Sequence, residues 1–211
     1  HPAFLARREG LPTMTSQHRP TWLVAILIAT LSALGPFSID TYLPAFPAVA
    51  ASLGASDLQV QQTLTVYLAT FAFMSLWHGA LSDAIGRRTV ILGGVALYGL
   101  ASLFCAVSAQ IEMLWLARAL QGMVGGVGFI VGRAVIRDLY DGPQAQRLMA
   151  MVMTIFALAP ATALIVGGQL LRWFNWHGIF VFLALLAVLV LFACGRLLPE
   201  TLPAHKRQPF S

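Results

Sequence analysis

Charged residues are scarce in this chain: Asp, Glu, Lys and Arg together make up 10% of its 211 residues. A soluble globular domain carries roughly a quarter, so the chain lacks the polar shell that a soluble fold needs. Cysteine is also scarce, with only Cys105 and Cys194. Both cysteines fall inside apolar runs and are far apart in sequence, which argues against a disulfide or a metal site. No cofactor is predicted.

Apolar residues, in contrast, are abundant, at 58% of the chain with a mean hydropathy of +0.78. They form six stretches of about twenty residues, the length that crosses the hydrocarbon core of a bilayer. The predicted spans are Trp22–Ala45, Val60–Leu81, Thr89–Ser108, Met113–Ile136, Leu148–Leu171 and Ile179–Leu198. We therefore expect an all-α membrane protein, embedded in a lipid bilayer, with six transmembrane helices over residues 22–198. Gly35-Pro36 and Pro160 are expected to interrupt two of these spans.

The net charge of +5 at pH 7 does not indicate a nucleic-acid-binding protein, because the cations lie in short clusters between apolar runs and not on one continuous face. Their distribution instead predicts orientation. Among the tails and loops, the alternate loops on one side carry only Arg172, whereas the other side carries Arg7, Arg8, Arg19, Arg87, Arg88, Arg137, Arg147, Arg196, Lys206 and Arg207. By the positive-inside rule, both ends of the chain are predicted to be cytoplasmic.

The two ends of the chain are polar. Residues 1–21 are predicted to form a cytoplasmic tail, in which residues 1–13 precede a plausible start at Met14 and are not necessarily native. Residues 199–211, PETLPAHKRQPFS, are polar and basic and resemble the start of a linker. The chain is therefore predicted to be a fragment of a longer protein.

Charged side chains at membrane depth are a second signal, because each costs on the order of 3 kcal/mol at the centre of a span. Asp40 lies in SIDTYLPAFP in the outer half of the first span, and Arg118 lies in LARALQG about two turns inside the fourth. Asp40 could bind a proton or a cation in turn, or it could cap a broken helix at the interface. Arg118 needs Asp40, a freed carbonyl or water as a partner, unless it reaches the outer interface. For Arg133, near the other end of the same span, we expect its side chain to extend to the interface.

Between the second and third spans lies the string GALSDAIGRR, Gly79 to Arg88. Asp83 and Arg87 are four residues apart, near enough to pair if the segment is helical. Gly79 and Gly86 permit close backbone approach and a sharp turn. The string therefore predicts a tight, charged turn at the end of the bundle.

This string resembles the loop between the second and third helices of the major facilitator superfamily, of form G-x-L-x-D-x-x-G-R-[RK]. SIDTYLPAFP resembles the first-helix signature of its drug:proton antiporter branch, specifically the bicyclomycin-resistance (Bcr/CflA) group. LARALQG resembles that branch's fourth-helix motif R-x-x-q-G, RDLY (Arg137 to Tyr140) resembles the end of that helix, and ETLP (Glu200 to Pro203) resembles the start of the central linker.

The resemblance implies the N-terminal half of a major facilitator fold, built from two inverted three-helix repeats. It implies that Asp40 and Arg118 couple proton and substrate movement, and that Asp138 faces Arg87 in a cytoplasmic gating network that includes Arg88. Tyr42 and Gln121 are candidates for the substrate cavity. The partners implied are small-molecule drugs, protons, and a C-terminal six-helix half or a second chain, in a bacterial inner membrane.

The fifth span matches the antiporter pattern only in part. That pattern reads close to G-P-x-x-G-P-x-x-G-G, and here the stretch is APATALIVGG. Pro160, Gly167 and Gly168 match it, whereas Ala163 and Leu164 replace the central Gly-Pro.

The resulting functional hypothesis is a multidrug efflux transporter, not an enzyme, that exchanges protons for small amphipathic drugs such as bicyclomycin or chloramphenicol. A facilitator or importer of a small nutrient is the alternative of the same class, although it should show more fixed polar residues inside the spans. Of another class are a membrane-embedded enzyme, which would need a Ser–His or paired Asp constellation at membrane depth, and a structural subunit, which should tolerate replacement of Asp40 and Arg118.

Overall fold

The computed structural model describes residues 21–208, so the predicted tail, including residues 1–13 and Arg7, Arg8 and Arg19, lies outside the described residues. Within that range the regular structure is entirely helical. The helices are α1 Thr21–Asp40, a 3₁₀ turn Leu43–Ala45, α2 Phe46–Leu53, α3 Asp57–Ile85, α4 Arg87–Ala106, α5 Ile111–Gly125, α6 Val127–Leu139, α7 Gly142–Trp173, α8 Trp176–Leu197 and a second 3₁₀ turn Ala204–Lys206.

Six helical stretches are long and apolar enough to cross a membrane, which confirms the predicted number of spans. The first span comprises α1, the 3₁₀ turn and α2, and the fourth comprises α5 and α6. Polar caps set several boundaries beyond the apolar cores from which the spans were predicted. Ser56 and Gln59 form a reciprocal capping box that starts α3, and the Asn175 side chain accepts a hydrogen bond from Gly178 N at the start of α8.

The interruptions lie at other positions than predicted. Pro36 and Pro160 both lie inside continuous helices, α1 and α7. Next to Pro36, the Tyr67 hydroxyl of α3 donates to the Gly35 carbonyl at 3.1 Å, which ties α1 to a neighbouring helix at this point. The first span breaks instead after Asp40, and the fourth breaks at Gly126, where α5 ends and α6 begins.

The contacts between spans agree with the predicted pair of three-helix repeats. The third span packs on the sixth (α4 on α8), and the first packs on the fourth (α1 on α6). The contact between the first and fifth spans, α1 on α7, has its counterpart between the fourth and second, α5 on α3. The broken helices are the first and fourth spans, which are the first members of the two units, as expected for related repeats.

Successive spans run in opposite directions, so Asp40 and Arg87 lie at opposite ends of the bundle. We call the end that carries Thr21, Arg87, Leu139 and Leu197 the Arg87 end, and the other the Asp40 end. The six spans are buried to different extents by the rest of the bundle. Within the apolar segment of each span, only 11% of the second span and 17% of the fifth is buried. α3 and α7 therefore present the largest uncovered faces.

Candidate functional site

Arg118 lies in the centre of the bundle with none of its surface exposed. Its Nη1 donates to the Ser38 carbonyl at 3.4 Å and to Gln121 Oε1 at 2.5 Å. Its guanidinium lies over the rings of Tyr67 and Tyr42, at 4.3 and 4.9 Å from their centroids. This burial excludes the interfacial alternative. Of the partners considered from the sequence, the structure shows a backbone carbonyl and no carboxylate within residues 21–208.

The remaining donors of Arg118 are unsatisfied. Its Nε and Nη2 are buried and have no hydrogen-bond partner among the described residues. A buried charge without an anion costs several kcal/mol in order of magnitude, so the surrounding rings and carbonyls compensate the charge only in part. The site is therefore electrostatically unusual within an otherwise apolar bundle, as functional sites often are.

Asp40 is the last residue of α1 and is partly exposed at the Asp40 end. Its carboxylate makes no hydrogen bond or ion pair with any residue in the described range. Ser38, whose carbonyl binds Arg118, lies two residues earlier on the same helical turn. Asp40 and Arg118 are thus connected through the backbone of α1 and not by direct contact.

Tyr42 and Gln121, the predicted cavity residues, lie against Arg118 and are completely buried. The Tyr42 hydroxyl lies 2.9 Å from Thr63 Oγ1, and Gln121 Nε2 donates to Ser102 Oγ at 2.8 Å. In this conformation both side chains belong to the polar core around Arg118. Contact with a substrate stays a prediction for these two residues.

The glycine pair of the fifth span contacts the chain beside Asp40 at one of its two positions. A Cβ on Gly167 would overlap the Cα and carbonyl carbon of Thr41, whereas a Cβ on Gly168 would meet nothing within 4 Å. Gly167 therefore allows α7 to approach the break between α1 and the first 3₁₀ turn. Pro160 lies two turns earlier on α7 and is partly buried.

We expect Gly167→Ala to lower stability by about 1–3 kcal/mol, because the added methyl group must displace backbone atoms of Thr41. The adjacent Gly168→Ala is a matched control and should leave stability unchanged or slightly raised, since alanine favours the helix. Thermal unfolding of the two purified variants measures the difference. Equal melting temperatures would show that the contact between α7 and Thr41 is unimportant.

At the opposite end, the predicted turn has a simpler form than expected. Gly79 lies inside α3, and a Cβ added there would meet nothing within 4 Å, so Gly79 neither bounds the turn nor permits a close approach. Gly86 alone, with a φ of +106°, separates α3 from α4. Arg88 Nη2 donates to the Gly195 carbonyl at 2.7 Å and so joins α4 to α8.

Arg87 is the centre of a polar network. Its Nη1 lies 2.5 Å from Asp83 Oδ1, and its Nε lies 3.2 Å from Asp138 Oδ2 at the end of α6. Nη1 also donates to Ser82 Oγ at 2.5 Å. The pairings of Arg87 with Asp83 and Asp138 agree with the sequence expectation, and they connect the second, third and fourth spans.

The segment after α8 completes this network, which the sequence did not predict. Glu200 Oε1 accepts from the Arg87 backbone N at 3.0 Å, and Thr201 Oγ1 donates to Asp138 Oδ2 at 3.0 Å. Gln208 N donates to the Asp83 carbonyl at 3.1 Å. We call Ser82, Asp83, Arg87, Asp138, Glu200 and Thr201 the Arg87 cluster. An acid placed on the first N–H of α4 satisfies an orphan donor and favours the helix dipole.

A metal centre is not part of this arrangement: across residues 21–208, no three His, Cys, Asp or Glu side chains are placed together to hold an ion. The two ends of the bundle differ in the chemistry they allow. The Asp40 end offers a carboxylate free to gain and lose a proton, and the Arg87 end offers an ion-pair network that must break if the helices there separate.

Comparison with known proteins agrees with this architecture. The family model of the Major Facilitator Superfamily matches residues 20–211. The MFS-type transporter YdgK of Bacillus subtilis is 40% identical over 200 residues, covering 92% of this chain and 50% of its own length. A bicyclomycin resistance protein homolog of Haemophilus influenzae is 33% identical over 92% of this chain and 48% of its own length. Multidrug resistance protein D of Escherichia coli is 33% identical over 84% of this chain and 45% of its own length.

Among solved structures, the human organic anion transporter MFSD10 (TETRAN) has the same fold, with a TM-score of 0.71 and 22% identity over 90% of this chain and 50% of its own. The chain thus spans about half the length of the relatives it matches. The predicted half of a major facilitator fold, in a multi-pass membrane protein, is confirmed. The chain belongs to the major facilitator superfamily.

Proposed function

We propose that this chain is part of a multidrug efflux transporter that exports small amphipathic drugs in exchange for protons. The relatives named for bicyclomycin and multidrug resistance support this substrate class. The observation that carries the proposal is Asp40, a carboxylate at the broken end of α1 with no partner among the described residues, two residues after Ser38, whose carbonyl accepts from the buried Arg118.

In the proposed mechanism, Asp40 binds a proton or a cationic drug in turn. Loss of the proton leaves a negative charge on the same turn of α1 that Arg118 binds, so the charge state of Asp40 changes the electrostatic energy of the polar core. Arg118 holds the packing of α1 against α5 while this happens. The helices then move around the bound proton or drug so that the site opens first to one side of the membrane and then to the other, which is alternating access.

The Arg87 cluster is proposed to hold the Arg87 end closed when the Asp40 end is open. With both ends of the chain on the cytoplasmic side of a bacterial inner membrane, this cluster is the cytoplasmic gate. The uncovered faces of α3 and α7 are where a second six-helix half supplies the other wall of the path. Separation of the helices at the Arg87 end would break the contacts of Arg87 with Asp83 and with Asp138 together.

The test is transport by the protein encoded by the complete gene, reconstituted into liposomes with an imposed pH gradient. A fluorescent amphipathic probe should accumulate inside only when the lumen is acidic, because protons must leave as the drug enters. Nigericin, which collapses the gradient, should abolish accumulation. Gradient-independent equilibration would indicate a facilitator, and accumulation with an alkaline lumen would indicate proton symport; either result contradicts the proposal.

A further inference from the structure

Besides Arg118, a second basic side chain lies at membrane depth, outside the polar core around Arg118 and outside the Arg87 cluster. Arg133 is on α6, six residues before the helix ends at Leu139, which places its Cα about 9 Å inside the Arg87 end. The residue is exposed on the bundle surface. Its guanidinium carbon lies 5.2 Å from the ring centroid of Phe129, and that ring lies 4.9 Å from the ring of Phe156 on α7. We call these three residues the Arg133 patch.

The direction of the Arg133 side chain differs from the expectation that it extends to the interface. Phe129 lies one turn before Arg133 and is therefore farther from the Arg87 end, by about 6 Å along the helix. A guanidinium placed over that ring extends toward the middle of the membrane and away from the nearest interface. An arginine that served only to reach polar headgroups would extend the other way.

The charge of Arg133 is not neutralised within residues 21–208, where it makes no ion pair or hydrogen bond. The nearest charged residue along the exposed face of α6 is Arg137, one turn on, which is also basic. The patch is therefore a positively charged, aromatic surface. Among the described residues, the Arg133 guanidinium is stabilised by its cation–π contact with Phe129, typically worth about 0.5–1 kcal/mol when exposed.

The position of the patch in the bundle limits what it can face. The opposite side of α6 is buried against α1 and α4, with Val131, Gly132 and Val135 at that contact. Phe129 borders α7, and Gly126, at the start of α6, packs by Ser75 of α3. The Arg133 patch thus lies between α3 and α7, the two least covered spans. Lipid on this face would leave an arginine in hydrocarbon, at a cost of about 3 kcal/mol.

We propose that the Arg133 patch is a substrate-binding subsite for the anionic or acceptor-bearing group of a transported amphipathic molecule, whose apolar body packs on Phe129 and Phe156. Arginine donates up to five N–H bonds in a planar fork, which suits carboxylate, sulfonate and carbonyl oxygens. The same charge repels lipophilic cations in a site of low dielectric. The inference rests on the proposed export function and adds a selectivity to this subsite: the Arg133 patch binds neutral and anionic groups in preference to cationic ones, which are left to Asp40.

The subsite is distinct from the coupling site. Asp40 lies at the opposite end of the bundle, at the end of α1. A drug bound at the Arg133 patch would occupy the half of the path that ends at the Arg87 cluster. Arg133 is therefore a specificity residue, and its removal should change which molecules are transported without removing the proton site.

The experiment compares Arg133→Gln, Arg133→Lys and wild type in the protein encoded by the complete gene. Three aromatic probes of similar size are used, one carrying a carboxylate, one neutral and one carrying a quaternary ammonium. Transport into liposomes with an acidic lumen gives KM and kcat for each probe. Arg147→Gln removes an exposed cation at the start of α7 and is the matched control.

We expect Arg133→Gln to raise KM for the carboxylate probe about tenfold, the equivalent of one charge-assisted hydrogen bond, with little change in kcat. The quaternary ammonium probe should be transported better than by wild type. Arg133→Lys should keep the preference for the anion, and Arg147→Gln should behave as wild type. Equal changes for all three probes, or no change in their ratio, would overturn the subsite.

A negative result is distinguishable from failure of the proposed function. If wild type transports none of the probes under a proton gradient, the export function itself fails. If wild type transports them and Arg133→Gln alters only melting temperature, then Arg133 binds an acid of another part of the protein and the subsite is wrong. Equilibrium binding of the carboxylate probe to purified protein separates these outcomes without requiring transport.

Discussion

Asp40→Asn is expected to abolish proton-driven export while the protein remains folded. The carboxylate makes no contact that stabilises the described part of the fold, and asparagine has nearly the same shape, so the free energy of unfolding should change by less than about 0.5 kcal/mol. Asparagine cannot gain or lose the proton. We expect the gradient-driven rate to fall by about a hundredfold or more, the scale seen when an essential acid–base group is lost.

The measurement pairs gradient-driven transport with thermal unfolding of the same preparation. Glu112→Gln is the control, since Glu112 is an exposed acid in the first turn of α5 at the same end of the bundle. That variant should transport normally. Wild-type rates for Asp40→Asn would remove Asp40 from the mechanism and leave it as a residue at the end of a helix.

Arg118→Met is expected to stop transport without weakening the fold. Methionine fills much of the same volume, and it removes a fully buried charge that has two unsatisfied donors and no carboxylate partner within the described chain. Replacing buried ionic groups by well-packed apolar ones is often neutral or stabilising by about 1–4 kcal/mol. The melting temperature should therefore be unchanged or higher, while gradient-driven transport falls to the background of empty liposomes.

Arg118→Ala serves as the second variant, because it leaves a cavity between Tyr42 and Tyr67 and should lower the melting temperature as well as transport. Arg147→Met is the control for removal of a surface cation. The idea that Arg118 is kept for function would be contradicted if Arg118→Met unfolded more easily than wild type and transported normally per folded molecule. Such a result would assign the arginine a packing role alone.

The sequence predicted the span number and the pairing of Arg87 with Asp83 because both depend on short-range features, whereas the pairing of Arg87 with Asp138, on a distant span, was implied only by the family resemblance. Six long apolar runs can only be buried in a bilayer. An acid and a base four residues apart are brought together by local geometry. Those features survive whatever the neighbouring helices do.

The sequence did not predict where the helices break, because neighbouring helices decide it. Pro36 stays within α1, where Tyr67 binds the adjacent Gly35 carbonyl, and Gly126 ends α5 although it lies among other glycines of the same span. The burial of Tyr42 and Gln121 around Arg118 likewise depends on helices distant in sequence. The direction of Arg133 depends on the position of Phe129, which a helical wheel places nearby but does not orient.

The segment that follows the last span has a practical consequence for anyone dividing or shortening this protein. A chain trimmed at Leu197 would keep every membrane helix and still lose the acceptor on Arg87 N and the hydroxyl on Asp138. Removal of this segment would expose the positive N-terminal end of α4 to solvent and weaken the packing at the Arg87 end. For protein engineering, the indivisible unit therefore extends to Gln208, eleven residues past the point where hydrophobicity stops.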